Sequence, residues 1–299
     1  MICLVTGSSG FVGKNLSHYL RNFATKILYF NSESGIKSIH EAYDVIIHLA
    51  GKAHDLKNVA SSNDYYNVNT ELTKEIFDAF LASNAKVFIT LSSVKAVADE
   101  VEGELIEEVI PNPISHYGKS KLLAEQYILS KQIPLGKRVY ILRPCMIHGP
   151  GNKGNLNLLY GLVSKGVPWP LGSFTNARSY LSIENLCFVI KELINRDDIS
   201  SGVYNVSDDL PLSTNEIIGM IAESNGRKVW VLNINKHLIK FLACVGDCLK
   251  LPFNSERLQK LSESFIVSNK KIIGALGKSL PVSSKDGLMR TFQSFSFND

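Results

Sequence analysis

The chain opens with MICLVTGSSGFVG, residues 1–13, and this stretch predicts the fold. Met1–Thr6 is an apolar run with the length of a β-strand. Glycines follow it at positions 7, 10 and 13, ahead of a predicted helix over Lys14–Phe23. Glycines so placed allow a tight turn, a close approach of the backbone to a pyrophosphate, and packing of the helix on the strand. Because strand, glycines and helix occur in that order, the stretch predicts a dinucleotide site rather than an ordinary turn.

The alternation of strand and helix continues along the first half of the chain. Apolar runs that are typical of buried strands recur at Lys26–Phe30, Asp44–Gly51, Ala85–Leu91 and Val139–Pro144. Alternating strands and helices favour a parallel sheet with helices on both of its faces. We therefore predict an α/β protein built on a Rossmann-type doubly wound parallel sheet.

The pattern changes near residue 150, which indicates a second region. Residues 1–150 are predicted to form the dinucleotide-binding domain. A predicted helix over Glu184–Arg196 and a strand over Val203–Val206 indicate that the chain returns to the sheet around residues 184–207. Residues 151–299 otherwise predict a smaller, substrate-binding α/β lobe, in which helices alternate with short strands after about residue 210.

Charge and hydropathy argue against nucleic acid and membrane partners. The 32 basic and 28 acidic residues are well mixed and leave a net charge of +4, without a basic block that would predict nucleic acid binding. The most apolar window is Leu238–Leu251, which contains Lys240, Asp247 and Lys250. It is too short and too charged to cross a membrane, so we predict a core or lobe helix there.

Cysteine usage and the N-terminus indicate the compartment. The five cysteines are an odd number without a Cys-x-x-Cys pair, which favours a reducing compartment and predicts no metal site. The N-terminus lacks the charged region and cleavage site of a secretion signal. We therefore expect a cytoplasmic protein.

A tyrosine and a lysine, Tyr117 and Lys121, begin a predicted helix that runs through Leu122–Leu129. Residues four apart lie on one face of a helix, so both side chains point into the same space. A nearby ammonium favours tyrosinate, and we expect it to lower the pKa of Tyr117 from its usual value of about 10. A tyrosine tuned in this way is a general acid or base near neutral pH. Taken alone, the spacing is equally typical of a solvated helix.

Two serines give this pair a context. The strand over Ala85–Leu91 delivers Ser92 and Ser93 to the carboxyl edge of the predicted sheet, where ligands bind in doubly wound folds. A serine after a strand is also a common helix cap. We favour a chemical role because Ser93 faces the same edge as Tyr117.

Together these residues resemble the extended short-chain dehydrogenase/reductase superfamily and, within it, the NAD-dependent epimerase/dehydratase family. The subgroup that the chain is most similar to contains bacterial UDP-sugar 4-epimerases and 4-ketoreductases of UDP-4-keto-6-deoxy-N-acetylhexosamines, which serve surface polysaccharide synthesis. The resemblance covers nearly the whole chain. It rests on Gly7, Gly10 and Gly13, on His48–Gly51, Asn69 with Thr73, Ser92–Ser93, Tyr117 with Lys121, Arg143–Pro144, Gly149–Gly151 and Arg178.

The resemblance implies a role for each matching residue. Ser93 would hydrogen-bond the reacting sugar oxygen, Tyr117 would transfer the proton, and Lys121 would hold the nicotinamide ribose. Ser93, Asn155 and Arg178 would bind the UDP-sugar, and a homodimer is expected. The cofactor, NAD or NADP, would contact Gly7, Ser9, Gly10, Phe11, Val12, Gly13, Asn31, Leu49, Ala50, Gly51, Asn69, Tyr117, Lys121 and Pro144.

The residues after Ser93 argue against dehydration. Sugar dehydratases of the resembling family carry an Asp-Glu pair there, whereas this chain has Val94 and Lys95. Without an acid to protonate a leaving hydroxyl, we expect hydride transfer at C4 only. A 4-ketoreductase would deliver the hydride once, and a 4-epimerase would remove it with bound NAD⁺ and return it to the other face.

The second strand bears on that choice. It ends at Asn31 and Ser32, without the acid that commonly holds the ribose of NAD. The choice between NAD and NADP therefore stays open. The missing acid also favours the reductase over the epimerase, because an epimerase keeps its NAD tightly bound. A non-catalytic dinucleotide-binding protein is a distant alternative, because Ser93, Tyr117 and Lys121 are all present.

Overall fold

A parallel sheet organises the part of the chain that the structure, a computed structural model, describes: residues 1–21, 26–29, 43–52, 62–152, 154–251 and 253–296. The strands are β1 (Ile2–Thr6), β2 (Lys26–Tyr29), β3 (Val45–His48), β4 (Val87–Leu91), β5 (Glu104–Leu105), β6 (Arg138–Pro144), β7 (Met146–His148), β8 (Tyr180–Ser182), β9 (Gly202–Val206) and β10 (Ile266–Val267). The six-stranded sheet has the order β2-β1-β3-β4-β6-β9, and its pairs are parallel. The predicted Rossmann-type α/β fold is confirmed.

The helices follow the strands in the expected alternation. They are α1 (Phe11–Leu20), α2 (Ser62–Tyr65), α3 (Leu72–Ala82), α4 (His116–Leu129), α5 (Asn155–Ser164), α6 (Ile183–Asn195), α7 (Thr214–Ser224), α8 (Lys236–Cys248), α9 (Ser255–Ser262), α10 (Lys270–Leu276) and α11 (Ser284–Ser296). A π-helical segment over Tyr66–Glu71 joins α2 to α3. None of the described helices is long and apolar enough to cross a bilayer.

Both faces of the sheet are buried under helices. On one face, side chains of α1 and α6 such as Leu16 and Leu186 pack with strand residues such as Val5. On the other face, α3 and α4 contribute Phe77 and Ile128. Strands covered on both faces are continuous hydrophobic runs rather than alternating ones, which is why β3 and β4 are so apolar.

The strand order creates a crevice at the carboxyl edge. β1 lies between β2 and β3, so the connections after β1 and β3 leave in opposite directions. Ligands of doubly wound sheets bind at such a switch point. The glycine turn after β1 and the residues after His48 therefore meet at one place.

A second hydrophobic core lies in the C-terminal half. Leu159 of α5, Ile217 of α7 and Phe292 of α11 pack together, with Trp169 from the connection between α5 and β8. Between these elements the chain returns to the sheet, where α6 packs against α1 and β9 pairs with β6. Of the described residues beyond 210, only Ile266–Val267 form a strand, so this region is more helical than we predicted.

Element boundaries differ from the prediction at two places near the site. The first helix begins at Phe11 rather than Lys14 and ends at Leu20, because Gly10 is already the extended N-cap residue. The continuous helix expected after Tyr66 is interrupted by the π-helical segment. Residues 30–42, which include Asn31, lie outside the described residues.

Candidate active site

The glycine turn is as tight as its sequence suggests. Gly7 has a positive φ of 68°, and a Cβ atom there would lie 2.5 Å from the backbone nitrogen of Ala50. A Cβ on Gly13 would lie 2.3 Å from the carbonyl oxygen of Gly7. Gly10 offers α1 no side-chain cap, which leaves the first amides of the helix available to an anion. The turn therefore fits the pyrophosphate of a dinucleotide.

A cavity of about 520 Å³ lies beside this turn. Ser9 is exposed there, while Phe11 and Val12 are partly buried against the core of the sheet. The cavity is lined by Ser9, Phe11, Lys14, Asn15, His18, Pro150, Gly151 and Asn152. Residues of the glycine turn and of the loop after β7 thus share one concave surface.

A buried hydrogen-bond chain fixes the end of β3. The amide of Ala50 donates to Thr6 Oγ1 over 3.1 Å, and Thr6 Oγ1 lies 2.8 Å from His48 Nδ1. His48 Nε2 lies 2.9 Å from Thr73 Oγ1, whose own proton is donated to the carbonyl of Asn69. Because Thr73 Oγ1 already donates its proton to Asn69, it accepts a hydrogen bond from His48. The imidazole proton is therefore assigned to Nε2, and Nδ1 accepts from Thr6.

That imidazole is neutral. Burial, and secondarily the charge of Lys121, lower the pKa of His48 to about 3. His48 therefore holds the Leu49–Gly51 segment in place and takes no part in proton transfer.

Asn69 joins the cofactor edge to the catalytic helix. It lies on the π-helical segment, an element that occurs often at functional sites. Its Oδ1 accepts from the amide of Lys52 over 2.8 Å, and its Nδ2 donates to Ser120 Oγ over 3.0 Å. A Cβ on Gly51 would lie 3.2 Å from Asn69 Oδ1 and 3.0 Å from Lys121 Nζ. The predicted cofactor contacts Gly51, Asn69 and Lys121 thus lie together.

The structure brings Ser93, Tyr117 and Lys121 to the same edge. Tyr117 and Lys121 lie in the first turns of α4, which Ser115 caps by accepting from the amide of Gly118. Lys121 Nζ donates to the carbonyl of Leu91 over 2.8 Å, directly below the serines. Ser93 is hydrogen-bonded to Tyr117 and also accepts from the amide of Lys95. Ser93 is therefore both a cap and a partner of the tyrosine.

The expected shift of the Tyr117 pKa is wrong in direction. Burial raises the pKa of Tyr117, and the hydrogen bond from Ser93 lowers it by less. Burial also lowers the pKa of Lys121 to about 8, although Glu125 opposes that shift. Removing both groups from water disfavours their charged forms, which outweighs the attraction that the helical spacing suggested. Near neutral pH, Tyr117 is thus protonated.

A buried ion pair anchors the catalytic helix to the sheet. Arg143 Nη2 lies 2.6 Å from Glu125 Oε2, and both side chains are almost fully buried. Glu125 is four residues after Lys121, so it fixes the same face of α4 that carries the lysine. Sequence reasoning missed Glu125, although its helical spacing from Lys121 was a usable signal. The next residue, Pro144, is buried and lies beside Val206 of β9.

A second cavity, of about 370 Å³, contains two of the three predicted substrate residues, Asn155 and Arg178. Ser93 does not line it. Two cations that sequence reasoning missed, Arg257 and Lys260, lie on α9, three residues apart and more than 70 residues after Arg178. The lining is Met146, Asn155, Leu156, Leu158, Leu159, Leu162, Arg178, Tyr180, Thr214, Asn254, Glu256, Arg257, Lys260 and Leu261.

Lys95 links this cavity to the catalytic edge. Its Nζ donates to the carbonyl of Asp99 over 2.6 Å and lies 4.7 Å from the ring centre of Phe265. Phe265 pairs with Arg178 through the backbone. Burial lowers the pKa of Lys95, Asp99 opposes that shift, and the charge of Arg178 adds to it. The turn after Ser93 therefore extends towards the cations rather than presenting an acid.

Comparison with known proteins identifies the family. The sequence profile of the NAD dependent epimerase/dehydratase family matches residues 3–207. The chain belongs to this family. The resemblance stated from the sequence is confirmed, and the glycine cradle and the Gly51–Asn69–Lys121 cluster fit the NAD or NADP that an enzyme of this family uses.

Three members illustrate the likeness. A UDP-glucose 4-epimerase of Vibrio cholerae is 31% identical over 98% of this chain and 94% of its own length. An N-acetyl-α-D-glucosaminyl-diphospho-ditrans,octacis-undecaprenol 4-epimerase of Escherichia coli O157:H7 is 26% identical over 97% of this chain and 94% of its own. The solved UDP-glucuronic acid 4-epimerase of Bacillus cereus, in complex with NAD, superposes with a TM-score of 0.78 at 18% identity and covers 100% of both chains.

Proposed function

We propose that this enzyme inverts the configuration at C4 of a sugar linked to a nucleoside diphosphate, with UDP-hexoses as the first candidates. The observation that carries the proposal is the joint position of Ser93, Tyr117 and Lys121 at the carboxyl edge, beside the glycine cradle. A tyrosine, a serine and a lysine at such an edge serve proton transfer at one hydroxyl oxygen.

The roles follow from the chemistry of each side chain. In the oxidation half, the minor phenolate form of Tyr117 accepts the proton of the C4 hydroxyl, and in the reduction half the resulting phenol returns it to the C4 oxygen; Ser93 Oγ orients that oxygen. Lys121 holds positive charge next to the reacting oxygen, while its bond to Leu91 fixes its direction. When bound, the nicotinamide supplies a site that takes the C4 hydride and gives it back.

The second cavity supports a diphosphate-linked substrate. Arg178, Arg257 and Lys260 are among the lining residues, and a guanidinium binds phosphate oxygens through two donors. Glu256 pairs with Lys260 at 2.5 Å and keeps one carboxylate beside the cations. Apolar side chains such as Leu158 also line the cavity and suit the apolar faces of a sugar and a base.

One consideration favours epimerisation over reduction, and a second argues against dehydration. Two relatives that match nearly the whole chain both carry the name 4-epimerase. The residues after Ser93 are Val94 and Lys95, so no carboxylic acid stands ready to expel a hydroxyl.

A second candidate is the reduction of a UDP-4-keto-6-deoxy-N-acetylhexosamine. Asn31 and Ser32 favour it, since a neutral end of the second strand lacks the usual ribose-binding acid of a tightly held NAD. The catalytic side chains would act in the same way, with Tyr117 in its protonated form as the acid.

One experiment separates the two. The purified protein is denatured and the released nucleotide identified, and native protein is then incubated with UDP-glucose or UDP-N-acetylglucosamine without added cofactor. An epimerase releases NAD and converts either sugar to its C4 epimer, whereas the Tyr117→Phe protein does not. Consumption of added NADH or NADPH with a UDP-4-keto sugar, without epimerisation, would replace the proposal by the reductase.

A further inference from the structure

Helix α8 presents an apolar stripe to solvent. Its buried face is narrow and consists of Ile239, Ala243 and Gly246. The apolar stripe is a second row on the same helix, at the i, i+3, i+4, i+7 and i+11 positions of one helix side. It consists of the exposed Leu238, Phe241 and Leu242, the half-buried Val245, and the exposed C-cap residue Leu249.

The stripe is exposed to an unusual degree. Phe241 is 64% exposed and Leu249 is 65% exposed. Trp230 precedes the helix at 75%, and Leu251 follows it. Residues 226–251 hold eight of the 19 large hydrophobic residues that are exposed in the described part of the chain. Exposed hydrophobic side chains that cluster in this way indicate an interaction site, whereas single exposed hydrophobic residues need no explanation.

Positive charge is concentrated in the same segment. Residues 226–251 contain Arg227, Lys228, Lys236, Lys240 and Lys250 against one acid, Asp247, which is five minus one, or +4. The whole chain has 32 basic and 28 acidic residues, also +4. The remainder therefore has 27 of each sign and is neutral. The entire charge excess of the protein therefore falls within the segment that contains α8, and we call its five basic residues the basic rim.

This combination decides between the possible occupants. A second copy, related by a two-fold axis, would bring the same basic rim against itself, and like charges oppose that contact. An anionic bilayer surface attracts the rim and accepts the stripe, since amphipathic helices lie in the headgroup region with Trp, Phe and Leu inserted. Tryptophan is itself enriched at such interfaces.

We propose that the apolar stripe of α8, with its basic rim, docks this protein peripherally on an anionic lipid surface. The expectation of no membrane partner, drawn from the absence of a spanning segment, is thereby revised, because docking needs no span. Helix α8 packs on α9, and α9 lines the second cavity, so the proposed docking helix is one element away from that cavity. The proposal is independent of the reaction at C4.

The test is flotation of the purified full-length protein with vesicles. We expect binding to vesicles of phosphatidylcholine with one third phosphatidylglycerol, little binding to pure phosphatidylcholine, and release at high salt. Phe241→Asp should lower bound protein at least tenfold, and Lys240→Gln should lower it about fivefold. The matched control is Leu135→Asp, which adds the same charge at a fully exposed leucine elsewhere and should bind like the parent protein.

Three outcomes would overturn the proposal. They are equal flotation of the Phe241→Asp and parent proteins, equal binding to neutral and anionic vesicles, and absence of binding to either. In the last case, light scattering that shows a dimer in the parent and a monomer in Phe241→Asp would assign the stripe to a second copy. Because the stripe is exposed, unchanged thermal unfolding of the variants is expected and separates loss of docking from loss of fold.

Discussion

The catalytic edge and the second cavity are built in different ways. The catalytic edge consists of Gly51, Asn69, Ser93, Tyr117 and Lys121. All of these except the exposed Gly51 are buried or half-buried, and backbone amides and carbonyls bind polar atoms of Asn69, Ser93 and Lys121. The cations of the second cavity lie on two separate segments, and Arg257 and Lys260 on α9 are exposed. Under the proposed function, the edge would fix the reaction, while the cavity would set which substrate is held and would tolerate more change.

The largest expected effect lies at the edge. Tyr117→Phe removes the hydroxyl that moves the proton and should lower kcat by a factor of roughly 10² to 10⁴. Tyr127→Phe, on the same helix but with its hydroxyl on Asp78 at the surface, is the matched control and should keep full turnover. Steady-state kinetics measures both. Equal turnover of the two variants would remove Tyr117 from the mechanism.

The next largest effect concerns the buried Glu125–Arg143 ion pair and the free energy of unfolding. Glu125→Gln leaves Arg143 buried without its counter-charge, and we expect a loss of about 3–5 kcal/mol in the free energy of unfolding. The exposed pair of Lys74 and Glu71 provides the control, where Glu71→Gln should cost less than about 1 kcal/mol. Denaturant titration measures both. Similar losses would mean that burial of the first pair is not what stabilises α4.

A change in the cavity should act on binding rather than on chemistry. Arg257→Gln should raise KM for a UDP-sugar about tenfold, with kcat nearly unchanged, because a phosphate contact is present in ground and transition states alike. Lys165→Gln, at the exposed end of α5, should leave both constants as they are. If instead kcat falls and KM does not, the cavity takes part in the reaction step and the contrast fails.

A change of pH should have the smallest effect near neutrality and should act only in alkaline solution. Burial lowers the pKa of Lys121 to about 8, so its ammonium is present below that pH and is lost above it. If the charge is needed beside the reacting oxygen, kcat/KM should fall about tenfold per pH unit on the alkaline side of 8. The measurement is a pH profile of kcat/KM. A flat profile well above this pH would show that the ammonium does not contribute.

The catalytic edge was largely predictable because its signals are local. The glycine turn, the strand that ends at Ser93 and the helical spacing of Tyr117 and Lys121 each occupy a few consecutive residues. Backbone geometry then carries them to one edge of a parallel sheet. The π-helical segment around Asn69 was not predicted; it packs against α4, a contact between segments about 50 residues apart that local sequence does not reveal.

The second cavity was predictable only in part. Arg178 and Asn155 were found by resemblance, whereas Arg257 and Lys260 come from a helix about 80 residues further on. Nothing in their local sequence distinguishes them from other exposed basic residues. The segment around Phe241 was likewise predicted as a core or lobe helix from its hydropathy, and its outward face became evident only from burial.

The sequence alone determined the fold class and the family, and it singled out Ser93, Tyr117 and Lys121 as candidates, because hydrophobic periodicity and short motif spacings can be recognised without knowing which distant segments pack together. Tertiary structure decided the protonation of Tyr117 and the position of the proton on His48. It also decided which carbonyl binds Lys121, that of Leu91, and which face of α8 is exposed. Those properties depend on desolvation and on contacts between segments far apart in the chain. Their energies arise only once the core has excluded water.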